Sequence, residues 1–186
     1  MNTILVVNQK GGVGKTTIVD ELAFSFDRSR IKYNLFDMDG QGGMIHDPVQ
    51  DDTADITIID TPGALQADMQ SWIDMADVII IPTKPSSRDL VPLQTMLELV
   101  KKTSAPVFVV INEFQSNYIA SKSFMEWIEN DCTYPVLCIP RSEAIVQAGM
   151  ASKSVIDYAP KHNICIAVKR LTDTVRRAIG LPPENT

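Results

Sequence analysis

Cysteine is scarce in this chain: three in 186 residues, Cys132, Cys138 and Cys165, with no CxxC pair and an odd count. That argues against a disulfide scaffold or a thiolate metal cage and leaves three reduced, mostly buried thiols as the expectation. Histidine is scarcer still. His46 and His162 stand alone in the sequence, which suggests neither a histidine metal site nor a nucleophilic triad. No apolar run approaches the roughly 18 residues that a membrane-crossing helix needs. The first residues lack the basic stretch, apolar core and small-residue cleavage site of a signal peptide, so a cytoplasmic location is expected. An excess of positive charge is also missing. The 17 Lys+Arg face 23 Asp+Glu, a net −6, which argues against coating nucleic acid with the whole surface.

What remains is ordinary globular material, 45% hydrophobic and 22% charged, at a length suited to one domain. Residues 1–180 read as a single domain and 181–186, "LPPENT", as a frayed tail. Short apolar runs alternate with helix-length amphipathic segments. The runs are TILVVN (3–8), YNLFDMD (33–39), DITIID (55–60), DVIIIP (77–82), PVFVVIN (106–112) and YPVLCIP (134–140). Their hydrophobicity is continuous rather than alternating, which marks strands buried on both faces. The expected fold is α/β: a doubly wound, mainly parallel sheet with helices on both faces. Ligands in such sheets bind beyond the carboxyl ends of the strands, and the notable residues gather there.

The first of these ends is "VVNQKGGVGKTT" (6–17). Gly14-Lys15-Thr16 match the end of the general phosphate-loop pattern, but Gln9 occupies the place of its first glycine, and Gly11 and Gly12 lie further in. Successive N–H groups and the following helix N-terminus can still cradle an anion. Lys15 would reach the β- and γ-phosphates and the Thr16 hydroxyl a Mg²⁺ ion, which leaves Lys10 without an evident task. "ITIIDTPG" supplies Asp60 at a strand end, suited to hold Mg²⁺ through water. "FDMDGQ" adds Asp37 and Asp39, suited to water positioning or Mg²⁺ contact. Guanine-reading NKxD has no counterpart, since the comparable stretch reads INEF, so ATP is the expected nucleotide.

This set resembles the ParA/MinD family of deviant Walker ATPases. Lys10-Gly11-Gly12-Val13-Gly14-Lys15-Thr16-Thr17 is similar to its K-G-G-x-G-K-[ST] loop, "DMDGQGG" to its D-x-D-P-Q segment and "IIDTPGAL" to its second switch. "ADVIIIPTKPSSRDLVPL" and "IPRSEAIVQAGMASKSVIDYAP" look like later ParA segments, so the likeness runs from about Thr3 to Ile179. Small plasmid- or mobile-element-type ParA proteins are the nearest kind. The resemblance implies ATP and Mg²⁺ as cofactors and an ATP-dependent homodimer. In that dimer Lys10 crosses the interface to the partner's nucleotide. It further implies that Lys15 serves the phosphates in cis, Thr16 ligates Mg²⁺, and Thr17 touches the α-phosphate. Asp39 orients the attacking water, Asp60 is the Walker B aspartate and Asp37 a weaker Mg²⁺-side candidate. Asn112, Pro140 and Arg141 fall where the family holds adenine. Two departures stand out: Gly40 replaces the usual proline, and the link from there to Asp60 is short, so elements that family members place there are expected to be missing. The first strand starts at residue 3, so no helix-turn-helix domain is expected before it.

Charge is uneven along the chain. The first 150 residues carry 11 Lys+Arg against 20 Asp+Glu, whereas the last 36 carry six basic residues against three acidic ones. In "NICIAVKRLTDTVRRAIG", Ile164, Val168, Leu171, Val175 and Ile179 form one apolar helix face, with Lys169, Arg170, Arg176 and Arg177 largely elsewhere. Resemblance to ParA makes those four candidates for non-specific DNA, with Lys153 and Lys161 as further ones. It also implies a ParB-type centromere-binding adaptor and a nucleoid-associated state with ATP. The alternatives are a MinD-like membrane-associated positioning ATPase, in which the last helix lies on a membrane, and a metabolic ligase of similar fold.

Overall fold

The computed structural model describes residues 1–40, 42–63 and 68–184. Gln41 of the first switch segment, Ala64 and Leu65 of the second, and the last two residues lie outside it. The chain order is β1 (Asn2–Val6), α1 (Lys15–Arg28), β2 (Asn34–Asp37), β3 (Ile56–Asp60), α2 (Met69–Met75), β4 (Val78–Thr83), α3 (Ser87–Leu99), β5 (Val107–Phe114), α4 (Ile119–Asp131), β6 (Val136–Pro140), α5 (Glu143–Met150), α6 (Val155–Tyr158) and α7 (Ile164–Ala178). All six apolar runs are strands. They form one sheet in the order β2-β3-β1-β4-β5-β6 with every strand pairing parallel.

Parallel strands buried on both faces need two cores, and alternate residues of one strand feed each. Ile4 and Val6 face the core under α1 and α7, with Phe26, Leu22, Val168 and Leu171. Leu5 and Val7 face the other, under α2, α3 and α4, with Trp72, Leu93, Met96 and Phe124. A fully buried Leu, Ile or Phe contributes about 1.5–3 kcal/mol, so both faces are firmly held. Between β2 and β3 the described residues form no helix or strand, only a bridge from Val49 back to Leu35. The link is as spare as its length implies. The order reverses around β1, whose carboxyl end therefore opens into the crevice where such sheets bind ligands.

The frayed tail expected from residue 181 needs correction across Leu181–Glu184. Leu181 N–H donates to the Arg176 carbonyl at 2.8 Å, and Glu184 N–H donates to Asp173 Oδ1 at 2.8 Å. The Glu184 carboxylate accepts from Ser25 Oγ at 2.7 Å and pairs with Arg28. Its terminal position suggested a loose end, but ion pairing to α1 overrides it.

Candidate active site

Each wall of the crevice is set by a local feature. Asn8, buried at the end of β1, donates from Nδ2 to the Pro82 carbonyl at 2.7 Å and accepts from the Lys10 N–H at 2.9 Å. It ties the start of the loop to β4, and sequence reading passed over it. Its only signal was a polar residue closing an apolar strand. Gly14 caps α1 in the left-handed region, at φ 98°. The second switch approaches so closely that a β-carbon on Gly63 would lie 2.6 Å from the Gly11 Cα. Thr61 Oγ1 fixes that approach by donating to the Val6 carbonyl at 3.0 Å.

Thr16 Oγ1 donates to Asp60 Oδ2 at 2.7 Å, so the two residues expected around Mg²⁺ are in contact. Burial pushes the Asp60 carboxyl up to about 6; Thr16 and Lys15 oppose the shift, while Asp37 and Asp39 add to it. Asp60 is 1% exposed, and its Oδ1, like Asp39 Oδ1, is buried without a hydrogen-bond partner among the described residues. Buried carboxylate oxygens without partners are costly and call for a cation or water. That donor set fits a hard divalent ion held by oxygen. Lys15 Nζ donates to the Lys10 carbonyl across the loop at 3.2 Å. Burial lowers its pKa, against the opposing charges of Asp60 and Asp39.

Asp37 also has a local task. Its Oδ1 accepts from the N–H groups of Asp39, at 2.9 Å, and Gly40, at 3.3 Å. It shapes the turn that carries Asp39. Lys10 projects away from its own loop and pairs with buried Asp89, Nζ to Oδ2 2.8 Å, at the start of α3. Ser86 also donates to that carboxylate.

Gly12, Gly14, Lys15, Thr16, Thr17, Asp39, Asn112, Pro140 and Arg141 line one cleft of about 480 Å³, with Gly11 and Val13 in the intervening loop. Phosphate-side and base-side expectations thus meet in a single cavity. Glu113, Ser142, Glu143 and Val146 also line it. The sequence did not single them out, because they reach the cleft through the kinked end of β5 and the first turn of α5.

The basic set on α7 divides. Arg170 and Arg177 are exposed. Arg176 is not: it is 3% exposed, donating to the Pro182 carbonyl at 2.8 Å, Ser29 Oγ at 2.8 Å and the Ser25 carbonyl at 3.3 Å. Its assignment to DNA is corrected; it is a buried clamp between α7, α1 and the terminal segment. Lys169 donates to the Glu184 carbonyl at 2.7 Å, which draws it into the same network. His46 does not stand alone either. It lies between Asp20 (2.8 Å) and Asp27 (3.2 Å). Asp20 also accepts from the N–H of Ile45 at 3.0 Å. No group among the described residues could hold a metal through clustered His, Cys, Asp or Glu, and the three cysteines are free thiols.

Fold and site together define a phosphate-loop nucleotide-binding protein, with a magnesium-compatible Thr–Asp pair beside the loop. The family model described as the CobQ/CobB/MinD/ParA nucleotide binding domain matches residues 4–155. The chain belongs to that family, as an ATPase of the ParA/MinD type that uses ATP and Mg²⁺. No curated protein matches it in sequence. Among solved structures, the ATP complex of a Cyanothece McdA variant is similar at TM-score 0.79 and 15% identity, covering 100% of this chain and 99% of that one. MinD from Pyrococcus horikoshii with Mg-ADP is similar at TM-score 0.76 and 16% identity, covering 96% and 97%. A Borrelia burgdorferi protein described as a plasmid partition protein, bound to AMPPNP, is similar at 0.67 and 16%, covering 90% and 97%. At these identities the likeness is one of fold.

Proposed function

We propose that this chain is a ParA-type ATPase for DNA partition, of the kind that segregates plasmids or mobile elements. ATP joins two copies, the pair holds non-specific DNA, and a ParB-type adaptor stimulates slow hydrolysis. One observation carries the reading: Lys10 sits on the rim of the phosphate loop yet is turned onto Asp89, leaving Lys15 as the cation inside the chain's own cradle. A second cation on the rim is suited to a neighbour's phosphates.

In this scheme Gly11–Thr17 hold the triphosphate through backbone N–H groups, with Lys15 against the outer phosphates and Thr17 toward the inner one. Thr16 and Asp60 would hold Mg²⁺, which when bound would draw charge off the phosphate oxygens. Asp39 orients the attacking water from a turn that Asp37 keeps in shape. Pro140 and Arg141 border the nucleoside, with Asn112 between them and the phosphate loop. Preorganised charge of this kind contributes most of the barrier reduction in phosphoryl transfer. Arg170 and Arg177, with Lys153 and Lys161, are the exposed cations left for DNA. Phosphate neutralisation is local, so a net −6 does not forbid it.

The MinD-like membrane alternative loses support from α7. Ile164, Val168, Leu171 and Val175 are all buried against the sheet, so the apolar face expected to enter a membrane is already covered. Among the described residues no helix is long and apolar enough to cross one.

The test is sedimentation and DNA retention with ATP, with ADP, and with ATP for Lys10→Ala. The expected result is dimers and retention with ATP alone, both lost in the variant. Retention indifferent to nucleotide and to Lys10 would sink the reading. Vesicle co-sedimentation without DNA retention would favour the MinD-like one.

A further inference from the structure

Asn112 lies near the end of β5, where the register against β6 shifts between Ile111 and Phe114. Glu113 beside it takes a positive φ of 54°. The kink turns the Asn112 side chain toward the phosphate loop, and both ends of its amide are engaged. Nδ2 donates to the Val13 carbonyl at 3.1 Å. Oδ1 accepts from the Glu113 N–H at 3.0 Å. The neighbours determine this orientation, since a carbonyl only accepts and a backbone N–H only donates. The amide also lies against Gly14: a β-carbon there would sit 2.1 Å from Nδ2. Gly14 is the cap of α1, so the contact spans the two residues that lead from the loop into the helix.

An anion cradle works only while its N–H groups face inward and its carbonyls face away. A loop carbonyl turned toward a triphosphate would set like partial charges against each other. The Asn112 amide ties the Val13 carbonyl back. We propose that Asn112 is a positioning residue for the phosphate loop, which contributes to nucleotide affinity through the triphosphate rather than through the base. This departs from the adenine contact that family resemblance implies. It needs only the nucleotide site, so it stands or falls separately from the DNA reading.

The experiment compares the full chain with Asn112→Ala for binding of ATP, GTP and inorganic tripolyphosphate, each with Mg²⁺, by calorimetry. Thermal unfolding is recorded alongside. The expected result is that all three bind more weakly by one common factor of about tenfold, with the ATP-to-GTP ratio unchanged. Asn112→Asp removes the donor and faces the Val13 carbonyl with a second oxygen, so it loses at least as much affinity for tripolyphosphate. A loss confined to ATP, with tripolyphosphate binding intact, overturns the proposal, and so does unchanged binding of all three. If either variant fails to fold, NMR of the wild-type Asn112 side-chain amide replaces it. Those protons are expected to be protected before ligand is added and to respond to tripolyphosphate as they do to ATP. A response to ATP alone overturns the assignment.

Discussion

Two regions of this molecule bury charge, and they do so in opposite ways. At the carboxyl ends of β1, β2, β3 and β4, the buried oxygens Asp39 Oδ1, Asp60 Oδ1, Asp89 Oδ1, Gln9 Oε1 and Thr83 Oγ1 have no hydrogen-bond partner among the described residues. At the C-terminal clasp, Arg176, Arg28, Lys169, Asp173 and Glu184 satisfy one another and the backbone around Ser25. The first region tolerates cost and the second is closed. Proteins keep unsatisfied buried groups where function needs them and pair them where only structure is at stake. The difference separates the working end of this ATPase from its fastening.

Substitutions that cross the divide test it. The largest expected effect is on turnover at the open end. Asp39→Ala should lower ATP hydrolysis about 10²–10⁴-fold while ATP binding stays within a few-fold, measured by phosphate release and calorimetry. Unchanged turnover would move the water-positioning role elsewhere. At the closed end the effect should be on stability instead. Arg176→Met leaves the Pro182 and Ser25 carbonyls and Ser29 Oγ short of a donor and should cost about 3 kcal/mol in denaturant unfolding, with ATP affinity retained in the folded fraction. If Arg176→Met instead abolished ATP binding at full stability, the comparison would fail.

A smaller effect links charge burial to pH. The Asp60 carboxyl is raised in the folded state, from 3.8 to about 6, so the folded chain holds a proton that the unfolded chain has released. Without nucleotide and Mg²⁺, stability should therefore fall as pH rises from about 4 to about 6, by roughly 2 kcal/mol. Asp60→Asn should remove that slope in a pH series of denaturant titrations, raise the plateau at neutral pH, and lose Mg²⁺-dependent nucleotide binding. A slope that survives the substitution assigns the proton elsewhere.

The smallest effect is at His46. Burial disfavours its charge, but the hydrogen bond and charge of Asp20, with Asp27, outweigh it and raise the pKa. The stabilisation is present in full below about 6.5 and is lost as pH rises through the raised folded value. Amide exchange at Ile45 and His46 should quicken over that upper range, beyond the intrinsic rise with pH. His46→Ala should abolish the pH dependence at a cost of about 1 kcal/mol. Equal protection across the range would leave the Asp20 backbone contacts as the whole of the fastening.

Much of the fold was legible because it rests on local patterns. Six continuous apolar runs became six strands, and the parallel arrangement followed from their burial on both faces. The phosphate loop was legible for the same reason, since its cradle is backbone geometry set by glycines within one short segment. Arg176 was misread because helical spacing describes one apolar stripe but not which neighbours line the other faces. Thr172 and Arg176 are one turn apart and both buried, on a flank that meets α1. The tail was misread because its partners, Ser25 and Arg28, lie more than 150 residues away.

By itself, then, the sequence determined the six strands of a parallel α/β sheet, the loop that takes phosphate and the aspartates beside it. Each of these depends on residue type at short range. Only the tertiary structure decided that Lys10 rests on Asp89, that Asn112 braces Val13, and that one arginine of a basic helix is interior. Those outcomes depend on which long-range groups meet in low dielectric, where a partner within hydrogen-bond reach outweighs any local preference.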